Sequence, residues 1–540
     1  MPRWCRSVLF AIFFVAFCSV IGGVFGPGLT GVSAATSGPE EDLKSNIKEF
    51  TKVYELVENN FADKVTADKG IYKGAIPGML RTLDPHSNFF DPKDFQALRD
   101  DQSGHYYGVG MQVAPRNGKT IVVAPFGGSP AYKAGLRPGD IILEVNDKKT
   151  DNLSTPEVAD LLKGPRGTHV QVMIGRQGLD KPLTFDIVRD EISRSSVEDA
   201  FWVRPGIAYM KITQFNENTS EEMEDNFKRL GENNIKGFIL DLRENPGGLL
   251  NEGVAVAGHF LRKGEVVVSH RGRASAEKPY LARGSAAGGN YPIVVLVNRY
   301  SASAAEIVAG ALQDHDRGWI LGETTFGKGL VQTVYPLEDN TGLALTTAHY
   351  YTPSGRLIQR DYSNISFLDY YYGKRTDTKN LLDVKSTDSG RTVYGGGGIT
   401  PDEKFEPPKL NTFQTSLLTK YAFFNFTAKW FGSRGQAQLP KGWEPSADVL
   451  NDFHEYLLKQ NIPFTEAEWT DNHVWIAQQL KREMYATGFT YEESQKVAIE
   501  TDPMVTKAIE AMPQARALLD RSKKLIVERI QQDSPYLTRH

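Results

Sequence analysis

Ile47, Phe50, Tyr54 and Val57 recur at intervals of three or four residues, a spacing that predicts an amphipathic helix early in the chain. The helical pattern, which covers residues 42–100 in outline, is interrupted at Leu83-Asp84-Pro85-His86-Ser87-Asn88-Phe89-Phe90. Asp84, Pro85 and Ser87 are turn formers, so a capped turn is expected, anchored to the next domain by its flanking aromatics. From 106 to 189 the period shortens to β-branched runs at 121–123 and 170–174, separated by turn residues, with one helix candidate at 155–162. Strands and helices then alternate: a strand at 207–212, a polar helix at 220–232 and an almost wholly apolar strand at 237–242. Such a strand suits a parallel sheet covered on both faces. A strand at 292–298 precedes the helical stripe Ile307, Val308, Ala311 and Leu312, and 331–335 is again strand-like. Beyond residue 411 helical spacing returns, as at Ile476, Leu480 and Met484. The order predicts an α/β multidomain protein with a helical segment at 36–105, a β-rich domain at 106–192, an α/β core at 193–410 and a helical C-terminal domain at 411–540.

The first 35 residues stand apart. Arg3 and Arg6 precede an apolar run at 8–25 and the small-residue stretch Gly31-Val32-Ser33-Ala34-Ala35, the layout of an export signal cut near Ala34 or Ala35. The run is also long enough to serve uncleaved as a membrane tether. Either way the folded part is expected outside the cytoplasm, in the periplasm or a similar compartment. Cys5 and Cys18 both fall in this segment, so the processed chain is expected to lack disulfides, thiol nucleophiles and cysteine metal ligands. No HExxH or other close ligand pair occurs, and neither a metal nor another cofactor is expected. With 40% hydrophobic and 24% charged residues, the 540-residue chain has the balance of a soluble globular protein long enough for several domains. A net charge of -4 and the lack of a basic tract argue against nucleic-acid binding.

Candidate chemistry concentrates at residues 301–332. Ser301 and Ser303 come just before the helical stripe, which puts Ser303 at a helix start, where unsatisfied N–H groups and the helix dipole favour developing negative charge. The N–H of Ala304 is then a natural oxyanion donor. Lys328 stands between Gly327 and Gly329. A lysine that loses its proton in a dry site can activate a serine without any histidine. Its pKa of ~10.4 must fall by roughly three units to supply a base at neutral pH. Upstream, Gly247 and Gly248 follow the apolar strand, where α/β folds place active sites, and bare backbone there can donate N–H groups to a ligand. In the β-rich segment Gly108, Val109, Gly110 and Met111 make a glycine loop leading into a strand, suited to receive a peptide carboxylate. A Ser/His/Asp hydrolase built on Asp314, His315 or Asp316 is the rival, although their DHDRG turn reads as a solvated loop.

Two resemblances extend this reading. The Gly108 to Met111 loop, together with the stretch from Ser129-Pro130-Ala131 to Ile142 that includes AGLRPGDII, resembles a PDZ domain of the bacterial protease type. That implies capture of a free C-terminus by strand addition. Over residues 83–402, LDLRENPGG at 240–248, SASAAEI at 301–307, TFGKGLVQ at 325–332 and GGITPD at 397–402 are similar to the C-terminal processing peptidases, or tail-specific proteases. This resemblance implies a Ser/Lys dyad on a crotonase-like α/β core, acting on proteins or peptides with free, apolar C-termini. The family's nucleophile precedes its lysine by 25 positions, which selects Ser303 and leaves Ser301 structural. It also implies an orienting role for Gln332, four positions past the lysine, and an oxyanion site near Gly247, Gly248 and Ala304. Four extended residues span about 13 Å, so pairing Lys328 with Gln332 requires a bend at Gly327 or Gly329. Departures from the family pattern are Ala305, where a serine is frequent, the segment 362–394, expected as a surface insertion, and the long tail. Glu306 reads as a favourable first-turn charge. The other functional readings are a catalytically silent exported PDZ scaffold and a crotonase-like enzyme of acyl thioesters, the latter disfavoured by the export signal. Tethering through 8–25 and homo-oligomer formation stay open.

Overall fold

The computed structural model describes residues 39–533 apart from 117, 177, 178, 180, 285–288, 364, 374–379 and 435–438. The export-signal or tether segment and both cysteines lie outside the described residues, among which no helix is long and apolar enough to cross a membrane. The chain divides into two compact units, Met1–Thr82 and Leu83–His540. In the first, the stripe of Ile47, Phe50 and Val57 lies on the helix Pro39–Asn60, and these side chains stay roughly half exposed. A π-helical turn, Asp68–Ala75, and the short helix Ile76–Arg81 complete it.

The second unit opens on the turn. Asp84 Oδ1 accepts the N–H groups of His86 and Ser87, both at 2.7 Å, and Oδ2 accepts Ser87 Oγ at 2.6 Å. The strand Asn88–Phe90 then pairs antiparallel with Gly342–Ala344, within the long strand Gly342–Tyr351. The turn thereby leads into a five-stranded sheet that also contains Leu330–Pro336. In the PDZ-like domain, Met111–Arg116 is an end strand of its sheet, and its outer edge pairs with no other strand among the described residues. The helix Thr155–Leu162, started by a Ser154/Glu157 capping box, buries Val158 and Leu162 in the same small core as Val109 and Met111.

The α/β core is a six-stranded sheet in the order Val197–Arg204, Ile207–Ile212, Gly237–Asp241, Ile293–Val297, Trp319–Gly322 and Glu403–Lys404, parallel after its first antiparallel pair. Side chains alternate between the two faces. Phe238 and Leu240 join Val256, Ile307 and Val308 from the helices Leu250–Phe260 and Ala304–Asp314. Ile239 points the other way and joins Met504, Val505 and Ala508 from the helix Pro503–Glu510. Part of the C-terminal tail is therefore the second layer of the core. The helices Thr412–Thr419, Ala422–Ser433, Ala447–Lys459 and Glu466–Gly488 make a separate cluster around Phe453, Ile476 and Leu480, and it touches the PDZ-like domain where the Arg116 guanidinium lies 3.5 Å from the ring centre of Phe424 and 4.3 Å from that of Tyr421.

The segment 362–394 is not simply a surface insertion. Its helix Phe367–Tyr372 carries Tyr370, only 2% exposed, against His86, Phe326 and Arg360. Aromatic area rather than polarity decides its position.

Candidate active site

Ser303 caps the helix Ala304–Asp314 with φ 55° and ψ −115°, a conformation that L residues seldom adopt and that needs support from its surroundings. Glu306 supplies it. This fully buried carboxylate accepts the N–H groups of Ser303 and Lys328 on Oε2, each at 2.9 Å, and those of Gly327, at 2.7 Å, and Thr325 Oγ1 on Oε1. Four donors replace the water it has lost. Burial pushes its carboxyl up from the ordinary range, and those donors oppose the rise. A residue that reads in sequence as a first-turn charge therefore joins two chain segments. Tyr350 adds a second tie, its one hydroxyl proton shared between the carbonyls of Ser303, at 3.0 Å, and Lys328. Ser301 is fully buried, donating to Leu242 O at 2.7 Å and accepting from Asn298 N at 3.0 Å.

Lys328 lies just ahead of the strand Leu330–Pro336. Gly327, at φ 87°, and a register shift between Val331 and Gln332 provide the bend, and Lys328 Nζ donates to Gln332 Oε1 at 2.9 Å. Gln332 Nε2 in turn donates to the carbonyl of His86 at 2.5 Å. Burial pushes the Lys328 ammonium below its ordinary pKa, against the pull of Asp84 and Glu306. That is the direction a base requires. His86 is pushed down to about 3, first by burial and then by Lys328 and Arg360, so its imidazole is uncharged at neutral pH. Neither the Glu306 hub nor the His86 contact is visible in the local sequence, because both depend on partners that are distant along the chain.

Ser303, Lys328, Gln332, His86, Gly247 and Gly248 line one cavity of about 360 Å³. Gly247, at φ 96°, approaches so closely that a Cβ there would stand 2.6 Å from Ser303 Cβ and 2.9 Å from Ala304 N. Its own N–H is committed to Asn245 Oδ1 at 2.8 Å. The N–H groups of Gly248 and Ala304 meet no protein acceptor among the described residues. The three expected donors therefore reduce to two, and Gly247 contributes proximity instead.

In the PDZ-like domain the N–H groups of Val109 and Gly110 likewise meet no acceptor among the described residues. The Ser129-Pro130-Ala131 stretch braces this loop: Ser129 Oγ donates to Gly110 O at 2.7 Å and Ala131 N to Val109 O at 2.8 Å. Gly108 ends the strand His105–Gly108, and Met111 starts the open-edged strand. Asp314, His315 and Asp316 fall at the far end of the eleven-residue helix from Ser303, about 16 Å away at 1.5 Å per residue. His315 spends both ring nitrogens on Asp388 and Val266 O, while Asp314 and Asp316 pair with Arg356 and Arg391. The rival Ser/His/Asp set is not assembled.

The model of peptidase family S41 matches residues 206–364, a PDZ-domain model residues 122–174, and a model of the activating protease CtpB N-terminal domain residues 30–94. The chain is 40% identical over 332 residues to the carboxy-terminal-processing protease of Bartonella bacilliformis, covering 60% of this chain and 75% of that protein. It is 40% identical over 295 residues to the carboxyl-terminal-processing protease of Synechocystis sp., covering 53% and 68%. With the carboxy-terminal processing protease CtpA of Bacillus subtilis the identity is 33% over 357 residues, covering 63% and 74%.

Proposed function

Because the chain belongs to the carboxy-terminal processing protease family, a family of serine-type endopeptidases, we propose that Ser303 is its nucleophile, Lys328 its general base and Gln332 the residue that holds the base. Neutral Lys328 takes the Ser303 hydroxyl proton as Oγ attacks the scissile carbonyl, then delivers it to the leaving amine. The N–H groups of Gly248 and Ala304 hold the oxyanion, and water completes the cycle by hydrolysing the acyl ester over the same groups. The observation that carries this reading is the Lys328 Nζ to Gln332 Oε1 bond, 2.9 Å, in the cavity that Ser303 also lines. The buried position of Lys328 supports its acting as a neutral amine.

Substrates are polypeptides whose free C-terminus adds to the open edge of Met111–Arg116, its carboxylate received by the N–H groups of the Gly108 to Met111 loop. The apolar wall of the cavity, with Phe215, Leu250, Ile307 and Leu330, suits apolar side chains. Location outside the cytoplasm is the reading that residues 1–35 favour. Recovery of the full chain with cytoplasmic proteins on cell fractionation would argue against it.

Ser303→Ala and Lys328→Ala variants, incubated with an unstructured polypeptide, test the dyad. Each is expected to lower kcat by at least ~10⁴-fold, as loss of a nucleophile or its base does elsewhere. Undiminished cleavage by either variant overturns the assignment, whereas no cleavage by the unaltered chain would favour the silent-scaffold reading.

A further inference from the structure

His86 touches the Lys328 machinery without being part of it. Its carbonyl receives Gln332 Nε2, while Gln332 Oε1 faces Lys328 Nζ. An amide turned the other way would set donor against donor at Lys328 and acceptor against acceptor at His86, so the carbonyl decides which end of Gln332 the lysine meets. The position of that carbonyl depends on the turn, in which Asp84 Oδ1 accepts the N–H groups of His86 and Ser87.

The imidazole is itself gripped by two tyrosines. Tyr371 Oη donates to Pro85 O at 3.1 Å and lies 3.1 Å from His86 Nδ1. A phenol has one proton, so with that proton on the carbonyl it is Nδ1 that donates to Tyr371. Tyr370 Oη lies 2.9 Å from Nε2 and accepts from Gln359 Nε2 at 3.2 Å, which leaves its proton for His86 Nε2. The two contacts define a neutral ring with its proton on Nδ1. A charged ring would bring a donor against the Tyr370 proton and a second cation beside Lys328 and Arg360.

We propose that His86 is a positioning residue that acts on Lys328 through Gln332, and that Tyr370 and Tyr371 connect the helix Phe367–Tyr372 to the same chain of contacts. This inference rests on the Ser303/Lys328 reading. Around the pair, the titratable and charged groups are Asp84, Glu306 and His86 toward Lys328, and Lys328, Asp84, Arg360, Tyr370 and Tyr371 toward His86.

The test is a double-mutant cycle in the full chain: His86→Phe, Gln332→Ala and both together, assayed on an unstructured polypeptide across pH, with Lys328→Ala as reference. Phe keeps the ring's packing and removes both nitrogens. Each single variant is expected to lower kcat by about tenfold, the worth of one hydrogen bond to a charged group, with KM changed less than about threefold. The acid limb of kcat/KM should move to lower pH, because protonated Lys328 has lost a firm acceptor. The double variant should match Gln332→Ala, since His86 acts only through that amide. Tyr371→Phe, a milder change, should show the same pattern with a loss of about threefold and guards against misfolding of His86→Phe. Losses that multiply in the double variant, or an unmoved acid limb in folded His86→Phe and Tyr371→Phe, overturn the proposal. An active Lys328→Ala would instead overturn the dyad reading, so the two failures are distinguishable.

Discussion

Gly247→Ala tests how closely the glycine loop and the helix start must approach. At φ 96°, a Cβ costs about 1–2 kcal/mol in backbone strain alone. The added carbon would also meet Ser303 Cβ at 2.6 Å, Ala302 O at 2.7 Å and Ala304 N at 2.9 Å. Comfortable carbon contacts begin near ~3.5 Å, so the loop and the helix start must separate by about 1 Å. A displacement of that size costs roughly 10²-fold in rate, and loss of an oxyanion donor costs about 10²–10³-fold. Steady-state kinetics should therefore show kcat reduced by about 10²–10³-fold with KM nearly unchanged. Thermal unfolding should show a loss of only about 2 kcal/mol, within what a folded domain tolerates. Gly355→Ala is the control: Gly355 has φ 82° and nothing within 4 Å of the added carbon, so it carries the strain without the collision. A folded Gly247→Ala enzyme with wild-type kcat would refute the role given to this approach.

Asp199 is buried, its Oδ2 meets no donor among the described residues, and burial raises its pKa from 3.8 to about 6, against the pull of Lys211. A carboxyl whose folded pKa lies above its unfolded one destabilises the charged protein, by about 3 kcal/mol at roughly 1.4 kcal/mol per unit, with the cost absent below about 3.8 and complete above about 6. Asp199→Asn should thus raise the unfolding temperature at pH ~7.5 and leave it unchanged near ~3.5; an equal gain at both values would discount ionisation as the cause. For substrate capture, Gly110→Ala places a Cβ 2.5 Å from Ser129 Cβ in the PDZ loop. It should raise KM about tenfold for peptides with a free C-terminus and leave amidated ones unaffected, whereas equal effects on both would detach the loop from carboxylate recognition.

Much of this architecture is legible along the chain because local spacing carries it. The α/β rhythm, the wholly apolar strand at Gly237–Asp241 and the helix start at Ser303 follow from periodicity and capping chemistry. What escapes is whatever depends on a remote partner. Glu306 has the same sequence appearance whether its carboxylate faces water or four buried donors. His86 lies 246 positions from Gln332, and nothing in the turn's composition announces that its carbonyl will be claimed by an amide. Tyr370 and Tyr371 look like polar aromatics of an insertion until His86 is set between them. Gly247 and Gly248 look equivalent in sequence, yet Asn245 engages only the N–H of Gly247.

The tail makes the same point at the scale of a domain. A parallel strand apolar at every position implies two covering layers, and the helices between residues 219 and 314 provide one of them. The second comes from the far C-terminus, where Met504 and Val505, 2% and 1% exposed, close over Ile239, Val294 and Leu296. Burial of two such side chains is worth about 3–6 kcal/mol, comparable to the net stability of a domain. The same tail reaches the glycine loop through charge. Asp502 caps its helix through the N–H of Met504 and also pairs with Arg243 at 2.8 Å, while Arg243 pairs with the fully buried Asp241 at the end of the central strand. Because Arg243 bridges Asp502 and the buried Asp241, the loop that begins at Arg243 and ends at Gly248 is held partly from the tail. A segment that reads in sequence as an appendage is thus a covering layer of the sheet on which the active site is built.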